Sequence, residues 1–192
     1  GIGGGLDGKA GKIVIEAGTI NASGGRGIEG EPAGPGIGAT FLGTLNNTVV
    51  IRGGTVTAVG GTTTQGSGNE LAYAIRGKTL SSQTDSMPPE RRSVTITAVG
   101  GIMETTDTSL FDGLVWGVGE KGNVNEGRVY GDAILTDNVS KGQIIEIPAG
   151  TSLTPSKKVT NHGTITGGGI LIDAPKITSP TFGTQPQIPQ SR

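Results

Sequence analysis

One phrase recurs along this chain and constrains its fold more than any other feature. "VVIRGGTVTAVGG" (Val49 to Gly61) is preceded by "IVIEAGTINASGG" (Ile13 to Gly25). It is followed by "RSVTITAVGG" (Arg92 to Gly101) and by "VTNHGTITGGG" (Val159 to Gly169). Aligned on the apolar centres Ile20, Val56, Ile96 and Ile165, the first two intervals are nearly equal and the third is close to twice as long. A degenerate copy is therefore expected inside the third, and Val129 in "EGRVYGD" divides it into two intervals of ordinary length. A second phrase keeps step: "GIGGG", "GIGAT" and "AIRGK" place Ile2, Ile37 and Ile75 at nearly the same interval.

Two phrases recurring in phase, at a period inside the roughly 20–50 residues of repeat architectures, are the mark of a solenoid. One unit has too little apolar surface to bury alone and must stack on its neighbours. The local pattern is that of strands. In "GTVTAVGG" Thr55, Val56, Thr57 and Ala58 alternate, which sends Val56 and Ala58 inward and both Thr outward on a pleated strand. No segment carries a 3.6-residue apolar period, so helical repeats are disfavoured. The second unit reads as three strands, "GIGAT", "TVVIR" and "TVTAV", with Gly53-Gly54 as a corner and Gly60-Gly61 as the turn that leaves the third. The fold expected is all-β: a right-handed parallel β-helix of about five coils over residues 1–173, the hand following from the crossover preference of parallel strands. One internal column would run through Ile20, Val56, Ile96, Val129 and Ile165, with the last regular strand near Ile170 to Ile172. Residues 174–192, with four of the ten prolines, read as an extended tail or linker.

Composition agrees. The chain has 37 glycines in 192 residues, against the roughly 13 that an average usage of about 7% gives. They sit between short β-branched runs rather than in a Gly-X-Y period, which excludes collagen and opposes disorder. A net charge of −1 removes the electrostatic case for nucleic acid or an anionic membrane. No apolar run reaches the roughly 20 residues of a membrane helix. Cysteine is absent, so disulfides and thiolate metal sites are excluded. Gly1 opens inside a repeat-like phrase, which reads as a segment of a longer precursor with further domains.

The stretch "IVIEAGTINASGGRGIEGEPAGPGIG", with "VVIRGGTVTAVGG", "GPGIGAT" and "GIGGG", resembles the glycine-rich β-helix repeats of bacterial extracellular surface and carbohydrate-binding proteins. The match covers Gly1 to Gly101, lapses over 102–158 and returns weakly at 159–172. The resemblance implies a secreted or wall-attached stalk, adhesin or polysaccharide-binding segment, with a polysaccharide or a host or cell-surface glycan as partner. It carries over no catalytic residue, because the repeat's motif positions are structural.

The segment "GIMETTDTSLFDGLVWGVGEKG" interrupts the repeat and holds Glu104, Asp107, Phe111, Asp112 and the only Trp, Trp116. Long inserts on a solenoid gather on one side and often bind. An aromatic plate beside carboxylates is what sugar recognition uses, so Trp116, Phe111, Asp112 and Tyr130 are the candidate glycan contacts. The alternative is that the large apolar residues fill the core of a distorted coil. Outward Thr19/Asn21, Thr55/Thr57, Thr95/Thr97, Arg128/Tyr130 and Thr164/Thr166 would form a second face. It suits soluble strands, sugar hydroxyls or ice, with Arg128/Tyr130 interrupting an ice plane.

A polysaccharide lyase or glycoside hydrolase is the competing function, and hydrolysis needs two carboxylates flanking the bond. The sequence has no D-x-D or D-D pair; Glu29 and Glu31 lie in a Gly/Pro loop, and Glu16 aligns with Arg52 as a cross-coil ion pair. A purely structural spacer is the third reading. No cofactor is implied; calcium through Asp107 and Asp112 lacks any EF-hand or GGxGxD spacing. His162, the only histidine, sits alone at a turn.

Overall fold

The computed structural model describes residues 1–4, 11–28, 32–39, 47–65, 68–82, 94–117, 123–178, 183 and 186–188. Glu29 and Glu31 lie outside these residues. The described chain is strand and turn, with one 3-10 turn at Ala174–Lys176. No helix among the described residues is long and apolar enough to cross a membrane.

In the first half the chain visits three parallel sheets in a fixed order. The first pass is Ile2–Gly3, Ile13–Ile15 and Thr19–Ser23; the second is Ile37–Gly38, Thr48–Ile51 and Gly54–Val59. The third is Ile75–Arg76, Thr79–Ser81 and Val94–Val99; the fourth has Ile102 in a single bridge, then Asp107–Leu110 and Gly113–Trp116. Ile2, Ile37 and Ile75 are register partners, and so are Ile20, Val56 and Ile96. Both in-phase phrases of the sequence therefore mark true ladder positions. Strands in register put like residues about 4.8 Å apart, so aliphatic side chains of one size stack without gaps. Val56, Ile96, Ile37, Ile75 and Ile51 are fully buried this way, each contributing about 1.5–3 kcal/mol of transfer free energy.

The paired glycines serve two purposes. Gly54 takes φ 93° and opens its strand, and Gly100 and Gly101 take φ 107° and 76°. Gly24, Gly60 and Gly61 have no positive φ; instead a Cβ on them would overlap the backbone of Gly34, Ala72 and Gly25 respectively. At those pairs the requirement is close approach of neighbouring backbones, which corrects the expectation of left-handed corners throughout. The loop after Gly61 forms a small antiparallel pair, Thr62–Gln65 with Gly68–Leu71. The Glu16–Arg52 pair forms as the alignment requires, at 2.5 Å.

The central sheet does not continue as the sequence implies. Among the described residues it holds seven strands: Thr19–Ser23, Gly54–Val59, Val94–Val99, Gly113–Trp116, Glu126–Tyr130, Ile144–Glu146 and Thr164–Thr166. The fourth and fifth pair antiparallel; every other neighbour is parallel. Val115, not Val129, succeeds Ile96 in the column. Three strands rather than one occupy the interval between Ile96 and Ile165, so the central sheet has more layers than the five coils expected. The second half is tighter. Ala133, Leu153 and Leu171 are register partners, as are Val159 and Ile177, all spaced at about half the repeat of the first half. Ile177 is buried, and Gln187 bridges Ile170, so pairing runs past the boundary at 173/174.

Buried residues form two cores. Ile15, Ile37, Val56, Ile75, Ile96, Phe111 and Val115 belong to the first; Leu114, Val129, Ile145, Leu153, Ile165 and Leu171 belong to the second. Adjacent residues Leu114 and Val115 thus enter different cores from opposite faces of one strand. The face of the central sheet that carries Thr95 and Thr97 in the first half becomes the buried face of the second. Conversely Val115 pairs Arg128, which continues into Glu146 and Thr166 on the outside. The single outward column expected from the sequence is therefore two columns on opposite faces.

Candidate functional site at the strand reversal

Phe111 lies at the corner between the last two strands of the fourth pass and fills the last layer of the first core, 1% exposed. That burial removes it from any sugar-stacking plate, a correction to the expectation from sequence, and its cause is the apolar demand of the closing layer. Its ring meets Tyr130 edge to face, with centroids 5.9 Å apart and planes at 66°. Tyr130 is partly buried there. Burial raises its phenol pKa, Arg128 opposes the rise and Glu146 adds to it. Arg128 and Glu146, register partners on that face, approach to 3.6 Å.

Asp112 holds the two halves together. Its backbone N–H donates to Ser82 Oγ at 2.7 Å, and its Oδ1 accepts the backbone N–H of Asp132 at 3.1 Å. Asp132 in turn accepts from Ser152 Oγ at 2.6 Å. Asp107 sits at the other end of its strand, where the backbone N–H and hydroxyl of Ser109 keep its carboxyl below the usual range. Among the described residues no three His, Asp or Glu come together in an arrangement able to hold a metal. His162 is exposed, and its backbone N–H donates to the carbonyl of Val139.

Trp116 lies apart from the other three. Tyr130 pairs Gly113, three residues from Trp116 and so on the opposite face of the sheet. Trp116 packs partly against the second core. It pairs Gly127, where a Cβ would come within 2.8 Å of Trp116 Cε3. A side chain at 127 would have to displace the indole from this position. On its other side Trp116 is the register partner of Thr97, which continues to Thr57 and Asn21. Beside this row runs Thr19, Thr55, Thr95 and Leu114. Thr19, Asn21 and Thr55 are exposed, and Thr57, Thr95, Thr97 and Trp116 partly so.

Of the four residues expected to act together, Phe111, Asp112 and Tyr130 do gather at one corner, and Trp116 stands on the other face. Gly127 completes the Trp116 site without having been singled out in the sequence; its only signal was a glycine inside the strand-like context "EGRVY". What the Trp116 face offers is hydroxyls, one carboxamide and an indole, with no ionisable group on the three strands that precede it. No family model, curated protein or solved structure matches this chain.

Proposed function

We propose that the chain is a glycan-binding module of a bacterial cell-surface protein, wound as a right-handed parallel β-helix. Its contact face is the row Asn21, Thr57, Thr97 and Trp116. That row carries the reading: short groups able both to donate and to accept hydrogen bonds lead up to an aromatic ring, the pairing that binds polyhydroxylated chains. The three-sheet order of strands and the right-handed preference of parallel crossovers support the winding. The repeat phrases, which resemble those of extracellular proteins, support the setting.

A glycan array probed with the wild type, Trp116→Ala and Tyr130→Phe tests it. Binding is expected for the wild type, lost in the first variant and kept in the second, which alters the opposite face. Absence of binding to any glycan, or binding indifferent to Trp116, overturns the proposal. A spacer that binds nothing is the second reading, favoured by the burial of Phe111 and the use of Asp112 as a tie between halves; it requires that no sugar be retained.

A further inference from the structure

We infer that the ligand of this face is a neutral polysaccharide presented as a packed, repeating lattice of chains, not a single soluble chain; the inference rests on the glycan-binding reading above. Thr19, Thr55 and Thr95 are mutual register partners, and so are Asn21, Thr57 and Thr97. The result is a two-by-three array of five threonines and one asparagine. Its spacings are about 4.8 Å across strands and about 6.7 Å along each strand. The register runs without a bulge through the whole of Thr19–Ser23 and the whole of Val94–Val99.

Three properties of this array select the ligand. Its side chains are short and nearly equal in length, so they make a level surface that touches a chain from one side and does not enclose it. A ligand held by many weak contacts gains most when its own groups are already fixed, as in a lattice, because a soluble chain must be ordered on binding. The strands of the array contain no Asp, Glu, Lys or Arg. Uronates and sulfated sugars therefore meet no cation there, and the class selected is uncharged. The Arg128/Tyr130 pair that interrupts this plane in a sequence alignment stands on the other side of the sheet, so the array ends only at Leu114 and Trp116.

The test is co-sedimentation of the protein with insoluble neutral polysaccharides (microcrystalline cellulose, α-chitin and particulate β-1,3-glucan), beside calorimetry with the matching soluble hexasaccharides. Thr57→Lys sets a charge at the centre of the array, and Thr57→Val removes only the hydroxyl, a second variant in case the first folds poorly. The wild type is expected to sediment with at least one polymer and to show no measurable affinity for its hexasaccharide. Thr57→Lys should lower the bound fraction at least tenfold, and Thr57→Val should lower it by less. Equal affinity for the soluble hexasaccharide, or full binding by Thr57→Lys, refutes the lattice inference and leaves the glycan reading standing. Failure to bind any polymer and any arrayed glycan refutes both. Thermal hysteresis without polysaccharide binding makes the lattice ice and also refutes both.

Discussion

Two cores that share one strand predict where a cavity will be felt. Leu114 is 2% exposed and packs in the second core, while its neighbour Val115 is 0% exposed and packs in the first. Replacing Leu114 by Ala removes buried methyl groups and leaves a cavity, at a cost of about 2–5 kcal/mol; Val115→Ala, with fewer atoms lost, costs about 2–3 kcal/mol. In a stack whose layers touch only their neighbours, that loss falls on the layers next to the cavity. Hydrogen exchange followed by mass spectrometry resolves which layers open. Leu114→Ala should speed exchange in peptides covering Glu126–Tyr130 and Asp132–Leu135 by roughly 30-fold or more, taking about 1.4 kcal/mol as a factor of ten. It should leave Gly54–Val59 and Thr48–Ile51 protected. Val115→Ala should instead speed exchange in Val94–Val99 and Thr79–Ser81 and leave Ile144–Glu146 and Ser152–Pro155 protected. Equal acceleration of both halves by either variant would mean a single cooperative core and would refute the partition by face.

The remaining predictions concern one glycine pair and one phenol. Gly24→Ala places a Cβ on the carbonyl of Gly34 and should destabilise by more than about 1 kcal/mol, whereas Gly25→Ala meets no heavy atom within 4 Å and should be neutral or slightly stabilising; thermal melts of the two variants decide, and similar losses would discard the close-approach account. Burial holds the Tyr130 phenol above its ordinary value of about 10. A raised folded pKa gives stability that is complete below the unfolded value and is lost as pH rises through the folded one. Unfolding midpoints of wild type and Tyr130→Phe should therefore keep a constant gap below about pH 9 and depart from that gap above about pH 10; a gap constant throughout the alkaline range would contradict the burial effect.

The stretch from Gly1 to Gly101 was readable because its signal is periodic and its corners are glycine. Ile2, Ile37 and Ile75 were placed correctly from spacing alone, as was the Glu16–Arg52 pair. The reversal was not readable that way, since Val129 satisfies the same apolar spacing whichever direction its strand runs. Alternation fixes which face a residue takes and is blind to strand direction. One local signal did exist. "LVW" at Leu114 to Trp116 is an apolar run without alternation, the mark of a strand covered on both faces. The shorter second period was also present, with Ala133 and Leu135 answered by Leu153 and Pro155. It is too short to keep phase with the first half, so the glycine phrases give it no support. The site suffered most, because membership of a face at the reversal depends on that parity: Trp116 and Tyr130 look like neighbours in sequence order and lie on opposite sides of the sheet.

The reversal and the exchange of faces are one requirement, not two. Across the seam the strand direction inverts, the buried face inverts, and the stacking order along the sheet continues unchanged. Inverting strand direction alone would reverse the hand of the winding, and so would exchanging the buried face alone. Doing both is a half-turn about the stacking direction, which keeps the hand. Strand twist gives crossovers between parallel strands a single preferred hand, and a hairpin set within a stack that keeps this preference on both sides of the seam moves the interior to the other side of the sheet. The strand at the hairpin then has to be apolar on both faces, and Leu114 and Val115 are the residues that meet this condition. The same half-turn ends the threonine array against the body of the second half, and that is why Trp116 stands at the array's edge, partly covered, rather than inside either core.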